Sequence, residues 1–281
     1  MDIYWEFENL KREPESIITV GTFDGVHLAH QRIIETLKIK SQCYGGRTTV
    51  ITFEPHPQLV LKKHSRPPVK ILTPIDEKIR YLKELGLERL IILRFTQEFS
   101  RMEPASFIKD ILIEKIGFQE IIIGYDHAFG RERKGQFTTL QELSQQFGFR
   151  VDKIPPFRLD GEIVSSTRIR NLLSSGLVEK AAQFLGRYYS IAGRVIRGEG
   201  RGRSLTFPTA NIQPLSEDKL LPENGVYAVQ VTKGNETFKG VLNIGMRPTF
   251  SPPRKSIEVH ILNFSGELYG EVLELKLLKK I

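Results

Sequence analysis

Between Ile17 and Ile154, short β-branched apolar runs alternate with amphipathic stretches. That order predicts a doubly wound, Rossmann-like α/β fold with a parallel sheet. The runs at 17–23, 47–53, 89–95, 119–123 and 149–154 are the predicted strands. Between them, Ile33, Ile34 and Leu37 mark one helical face, and Ile75, Ile79 and Leu82 mark a second. Phe107, Ile111 and Leu112 mark a third, and Leu140, Leu143 and Phe147 a fourth. Thr73-Pro74 predicts an N-cap and first turn, while Gly86, Gly117 and Gly148 predict helix stops. After one more helical stretch at about 166–186 the period falls to two. Runs around 193–196, 226–231, 239–244, 257–262 and 272–277 predict a small antiparallel β-barrel, with turns at Lys233-Gly234-Asn235 and Ser265-Gly266-Glu267. The chain therefore divides into an α/β domain at 1–186 and a barrel domain at 187–281.

Composition narrows this picture rather than redrawing it. A chain of 281 residues with 40% hydrophobic and 26% charged side chains belongs to the ordinary globular class. The single cysteine, Cys43, leaves no intramolecular disulfide and suits a reducing compartment. No apolar run reaches membrane-spanning length and the N-terminus lacks the order of a secretory signal, so a cytoplasmic location with no membrane partner is expected. The net charge of +8 raises the question of nucleic acid. Residues 1–186 carry 27 basic and 24 acidic side chains, and residues 187–281 carry 14 and 9, so neither part is strongly basic. The densest cluster, Arg194, Arg197, Arg201 and Arg203 among glycines, lacks interleaved aromatics for base stacking and favours a small polyphosphate ligand. No feature of the sequence specifies an oligomeric state.

The first run ends in Gly21-Thr22-Phe23-Asp24-Gly25-Val26-His27-Leu28-Ala29-His30. Two histidines three apart thus stand where a strand gives way to a helix, the place where parallel α/β folds bind phosphates. Gly21 and Gly25 allow a sharp turn and close approach of a ligand to backbone. A zinc pair or two packing histidines fit the histidine spacing equally well, and the glycines tilt the reading toward phosphate. A second constellation, Ser165-Ser166-Thr167-Arg168-Ile169-Arg170, opens an apolar-periodic helix. It reads either as an N-cap or as a second anion site with Arg170.

Taken together, these stretches resemble the adenylyltransferase module of the bacterial bifunctional riboflavin kinase/FAD synthetases, a nucleotidyltransferase fold. The resemblance rests on Gly21–His30, Phe53-Glu54-Pro55-His56-Pro57, Gly124-Tyr125-Asp126-His127-Ala128-Phe129-Gly130 and Ser165–Arg170. The second half is similar to the kinase module of that family through Phe207-Pro208-Thr209-Ala210-Asn211, Gly225-Val226-Tyr227, the stretch from Asn243 to Phe250, and Glu258-Val259-His260.

The resemblance implies two reactions: riboflavin and ATP give FMN, and FMN with a second ATP gives FAD and pyrophosphate, with Mg²⁺ offsetting phosphate charge. It implies His27, His30 and Arg170 as catalytic groups of adenylyl transfer. Gly21, Phe23, Asp24, Gly25, Asp126, Ser166 and Thr167 would line ATP, and Phe53, Glu54, Pro55, His56 and Pro57 would line the flavin. In the kinase half it implies Thr209 and Asn211 at Mg²⁺ and phosphate, with Glu258 as general base for the ribityl hydroxyl. Taken without the family, the Phe53–Pro57 segment is a stiff loop, Glu258 a solvent-facing glutamate, Thr209 a β-former and Asn211 a turn residue.

The chain departs from the family pattern at Ala29, where glycine is usual between the two histidines, and at His127, Thr206 and Asn263. It also ends at Ile281, where the family continues into a C-terminal helix, so a weakened kinase half is expected. Adenylyl transfer alone, and a non-catalytic flavin- or nucleic-acid-binding protein, are the competing functions. Retention of His27, His30, Arg170, Thr209, Asn211 and Glu258 argues against the non-catalytic one.

Overall fold

The computed structural model describes residues 1–61, 69–125, 137–197, 209–247 and 254–281. Two compact units emerge, Met1–Val164 and Ser165–Ile281.

The first unit runs β1 (Asp2–Trp5), β2 (Ile17–Val20), α1 (Leu28–Tyr44), β3 (Thr48–Glu54), α2 (Pro57–Val60), α3 (Ile75–Glu84) and β4 (Arg89–Arg94). It continues through a single turn α4 (Pro104–Ser106) that runs into a π-helix at Phe107–Ile116, then β5 (Glu120–Ile123), α5 (Phe137–Phe147), β6 (Arg150–Lys153) and the small hairpin β7 (Arg158–Leu159) and β8 (Glu162–Ile163). Six strands form one parallel sheet in the order β1-β4-β3-β2-β5-β6. Successive residues feed opposite faces. Ile18, Ile51 and Ile91 pack on one side with Phe107, Leu112 and Leu140, while Ile17, Val50 and Leu90 pack on the other with Ile34, Leu37 and Leu82. Burial of both faces is why these strands read as continuous apolar runs rather than alternating ones.

The predicted elements meet the structure with several corrections. β1 has no counterpart among the predicted strands: as an edge strand with Ile3 and Trp5 exposed, it lacks the apolar run that marked the others. The first predicted strand stops at Val20 instead of Phe23, because the backbone turns there through a left-handed Phe23 at φ +48°. Thr73 is not an N-cap. Pro74 holds that position without a side-chain cap bond, and the Thr73 amide is engaged by Asp24. Gly86, Gly117 and Gly148 do follow their helices with φ of +75 to +77°, a range that glycine adopts without strain.

The second unit begins with two helices, α6 (Ser166–Ser174) and α7 (Val178–Leu185), where the sequence predicted one; Gly176 at φ +73° breaks them. α7 buries Val178, Ala181, Phe184 and Leu185 and packs against two of the strands that follow. The 186/187 boundary read from the sequence assigns both helices to the first part of the chain, whereas by contacts they group with the barrel. β9 (Tyr189–Ile196), β10 (Ala210–Pro214), β11 (Gly225–Lys233), β12 (Glu236–Arg247), β13 (Arg254–Ile261) and β14 (Val272–Lys280) close into an antiparallel barrel in the order β10-β13-β12-β11-β14-β9. β10 escaped prediction because only Ile212 in it is buried, beside an asparagine and a proline that strands disfavour. Its partner carries Gly193, where a Cβ would collide with the Ile212 side chain. That glycine permits the close pairing that seals the barrel.

Candidate functional site

The chain passes from β2 to β3 and β4 toward one edge and from β5 to β6 toward the other, with β2 and β5 as neighbours. The crevice at the carboxyl ends of β2 and β5 is therefore the topological switch point, where such sheets bind ligands. Both loops leaving these two strands carry predicted site residues.

After β2, Gly21 still holds the sheet through its amide on the Ile51 carbonyl at 3.0 Å. The backbone then turns through three left-handed residues, Phe23 at +48°, Gly25 at +93° and Val26 at +39°. Only the glycine adopts such a φ freely; for a bulky or β-branched residue it is strained, and it persists because the surroundings over-determine it. Phe23 and Val26 are fully buried in the core, the Val26 amide donates to the Phe23 carbonyl at 3.2 Å, and Gln31 Nε2 ties the Val26 carbonyl at 3.0 Å. The turn delivers His27 as the N-cap of α1, its Nδ1 accepting the His30 amide at 3.4 Å. With Nδ1 an acceptor, the neutral ring carries its proton on Nε2. The His27 and His30 rings stack at 3.6 Å between centroids and 15° between planes, and the Phe23 ring lies 4.8 Å from His30. Ala29 is the second residue of α1, with none of the left-handed φ that would demand glycine.

Beneath this turn lies a buried polar layer that the sequence pattern did not reveal. Asp24 is 1% exposed, and its carboxylate accepts the amides of Leu72 at 3.2 Å and Thr73 at 2.9 Å rather than pointing outward. Thr52 donates to the Thr22 carbonyl at 3.2 Å and accepts a bond from Lys78 Nζ, also at 3.2 Å. Lys78 is 3% exposed, and burial holds its ammonium below the usual lysine pKa against the opposing fields of Asp24 and Glu54. Lys78 occupies the inner face of α3 beside Leu82, where the helical period calls for an apolar side chain.

Of the β5 loop, Gly124 and Tyr125 are described; Asp126 and His127 lie outside the described residues. At the end of β3, Phe53 joins an aromatic group with Phe95 and Phe99, and beyond it His56 N-caps the single turn α2 by accepting the Gln58 amide at 3.2 Å. The Glu54–Pro55 peptide is cis. Glu54 and Pro55 line a depression of about 270 Å³ with Trp5, Glu6, Ile92 and Arg94. The sequence singled out neither Trp5 nor Arg94. Trp5 sits on the unpredicted β1 with its ring about half exposed, and Arg94 ends β4.

In the second unit, Ser165 is the N-cap of α6, its Oγ accepting the Arg168 amide at 3.3 Å. The cap role thus falls to Ser165, and Ser166, Thr167 and Arg170 lie within the first turns of the helix, Thr167 exposed and the other two half-buried. On the barrel, Asn211 pairs directly with Glu258, and Glu258 with Asn243 on its other side. Their neighbours Ile212, Val259, Leu242 and Ile244 point inward and are buried, so the three polar residues form one outward row across β10, β13 and β12. The row continues to Ile196 on β9 and Val226 on β11, both exposed apolar residues. His260 follows on the Glu258 face, as predicted. Thr209 is exposed immediately before β10. Hydroxyl and amide oxygens such as those of Thr209 and Asn211 are hard donors of the kind Mg²⁺ accepts. Among the described residues there is no group of three or more His, Cys, Asp or Glu side chains that could hold a metal ion. Of the Gly/Arg cluster, Arg194 Nη1 donates to the Gly270 carbonyl and Arg197 lies 5.9 Å over the Tyr269 ring, while Arg201 and Arg203 lie outside the described residues. Thr206, Phe207 and Pro208 lie outside them as well. Asn263 adopts φ +56°, a conformation that asparagine tolerates.

Residues 9–168 match the FAD synthetase family model, and residues 185–281 match the riboflavin kinase model. The bifunctional riboflavin kinase/FMN adenylyltransferase of Listeria monocytogenes is 38% identical over 92% of this chain and 82% of its own length. The enzymes of the same name from Bacillus subtilis and Escherichia coli K12 are each 36% identical, over 96% and 97% of this chain and 85% and 87% of their own lengths. A crystal structure described as a macrolide-efflux protein from Streptococcus pneumoniae is similar with a TM-score of 0.89 and 27% identity, covering 100% of this chain and 91% of that one. Among the described residues no helix is long and apolar enough to cross a membrane.

Proposed function

The chain belongs to the bifunctional riboflavin kinase/FMN adenylyltransferase family, and from that premise we propose how its residues divide the two reactions of FAD biosynthesis. It is a transferase that phosphorylates riboflavin with ATP to FMN and adenylylates FMN with ATP to FAD.

In adenylyl transfer an FMN phosphate oxygen attacks the α-phosphorus of ATP, a new P–O bond forms, and pyrophosphate leaves with the electrons of the bond that breaks. Charge builds on phosphate oxygens and no group of the protein need form a bond, so positioning and electrostatics carry the rate. We assign His27, His30 and the first-turn amides of α1 to the phosphates. By resemblance to the family's motifs, Ser166, Thr167, Arg170 and Asp126 are assigned to ATP as well. Gly21 and Gly25 let ATP approach the backbone, and Phe23 and Asp24 shape that turn. The Phe53–Pro57 segment faces the flavin. What supports this most is the stacked pair His27 and His30 at a helix N-terminus on the β2/β5 switch point.

In the kinase half, Glu258 takes the proton of the ribityl hydroxyl as its oxygen attacks the γ-phosphorus and ADP departs. Its direct neighbours Asn211 and Asn243 in the outward row support the assignment. Thr209 and Asn211 would hold Mg²⁺, which neutralises phosphate charge when bound. The Arg194–Arg203 stretch is assigned to ATP rather than to nucleic acid, the residues 1–186 and 187–281 to the two activities, and the cytoplasm to the protein.

Incubation with riboflavin, ATP and Mg²⁺ followed by chromatographic separation of FMN from FAD tests the whole reading. Both products are expected. His27→Ala is expected to stop at FMN, and Glu258→Gln to make FAD only from added FMN, each loss being about 10²–10⁴-fold. Loss of FMN formation from riboflavin in His27→Ala, or loss of FAD formation from added FMN in Glu258→Gln, refutes the division.

A further inference from the structure

We propose that Lys78 is a positioning residue for adenylyl transfer: through Thr52 its buried ammonium holds the turn between β2 and α1 in the shape that presents His27 and His30. The inference rests on the assignment of adenylyl transfer to that turn.

Three observations carry it. First, the contact chain is continuous, from Lys78 Nζ to Thr52 Oγ1 at 3.2 Å and from Thr52 Oγ1 to the Thr22 carbonyl at 3.2 Å. Thr22 stands one residue before the left-handed Phe23, so the chain ends on the backbone that has to be held. Second, the same helix region grips the turn a second time: Asp24 accepts the amides of Leu72 and Thr73 just ahead of α3. Asp24 also acts on Lys78 electrostatically, together with Glu54 at the end of β3. The ammonium thus lies among groups from three segments that converge on the turn. Third, a lysine at this position is expensive. A methionine or leucine would fill the inner face of α3 without desolvating a charge, as Leu82 does one turn on. A buried charge retained at an apolar position, bonded to the support of a strained turn, is explained by what it holds in place.

The bond is short-ranged and specific, so the hydroxyl of Thr52 is as necessary as the ammonium. Lys78→Met, Thr52→Val and Thr52→Ser are compared in the full chain. FAD formation from FMN is expected to lose tenfold or more in kcat for Lys78→Met, with a smaller change in KM for ATP. Thr52→Val should fall in the same way, Thr52→Ser should recover most of the rate, and the double variant should lose no more than the worse single one. Riboflavin phosphorylation in the same preparations should stay within twofold, which reports an intact barrel unit, and a retained calorimetric transition of the first unit reports that it is folded.

A second readout does not depend on catalysis. Imidazole NMR signals of His27 and His30, two of the six histidines, should shift alike in Lys78→Met and Thr52→Val and return in Thr52→Ser. Wild-type FAD formation by Lys78→Met overturns the proposal. So does a parallel loss of both activities, and so do unmoved His27 and His30 signals. Should the wild-type chain itself make no FAD, the functional assignment fails, and the histidine signals alone then decide whether Lys78 positions the turn. If Lys78→Met does not fold, Thr52→Val with its Thr52→Ser rescue decides the same question.

Discussion

Asp24→Asn is the substitution with the most calculable consequence. The side chain keeps its size, yet it exchanges one of two acceptor oxygens for a donor, and both oxygens are in use by the Leu72 and Thr73 amides. One of those amides must lose its partner in a site that is 1% exposed. A buried donor left without an acceptor costs about 1–3 kcal/mol. The carboxylate charge that favours the Lys78 ammonium goes as well, which adds to that cost. Such a loss is a large part of the roughly 5–15 kcal/mol that keeps a domain folded. At about 2–4 °C per kcal/mol for a unit of this size, the first unfolding transition should drop by roughly 5 °C. Calorimetry on the full chain measures that shift, and FAD formation below the transition measures what the turn loses in shape. Asp24→Ala should be at least as damaging, whereas Asp24→Asn combined with Lys78→Met should fall short of the sum of the two, because the stranded charge is removed. A midpoint within about 1 °C of wild type for Asp24→Asn would show that Asp24 does not brace the turn.

Two further outcomes follow from other parts of the molecule. If the Ala29 methyl crowds a nucleotide at the proposed phosphate turn, Ala29→Gly should lower the KM for ATP severalfold, at a helix-propensity cost of up to about 1 kcal/mol; an unchanged ATP dependence refutes the crowding. In the barrel, burial pushes the Tyr227 phenol up to about 12 while its hydroxyl donates to the Glu223 carbonyl. From about pH 10 to about 12 the native state keeps a proton that the unfolded state has released, so barrel stability should fall as pH rises through that window. Denaturant titrations at several pH values should show the decline in wild type and its absence in Tyr227→Phe; equal slopes in both would remove Tyr227 as the cause.

The alternation of buried runs with amphipathic stretches, the change to period two, the glycines that end helices and the motif around His27 and His30 were all readable along the chain. Each is a local property. Whether a side chain is wanted inside and where a backbone can turn are decided within a few residues, and a linear pattern records them. Pairing is different. β1 carries exposed Ile3 and Trp5 and has little apolar signature of its own; it is a strand because the β4 edge offers it hydrogen bonds from 87 residues away at Asp2 and Arg89. β10 is a strand because Gly193 leaves room for Ile212. The row Asn211, Glu258 and Asn243 exists only through the registers of three strands, which no single segment encodes. Lys78 makes the same point from the other direction. Its spacing marks a core position and its charge marks the surface, and only the tertiary arrangement resolves the conflict. It places Thr52, Asp24 and Glu54 around the ammonium, and a low-dielectric interior tolerates a charge only where such partners have been assembled.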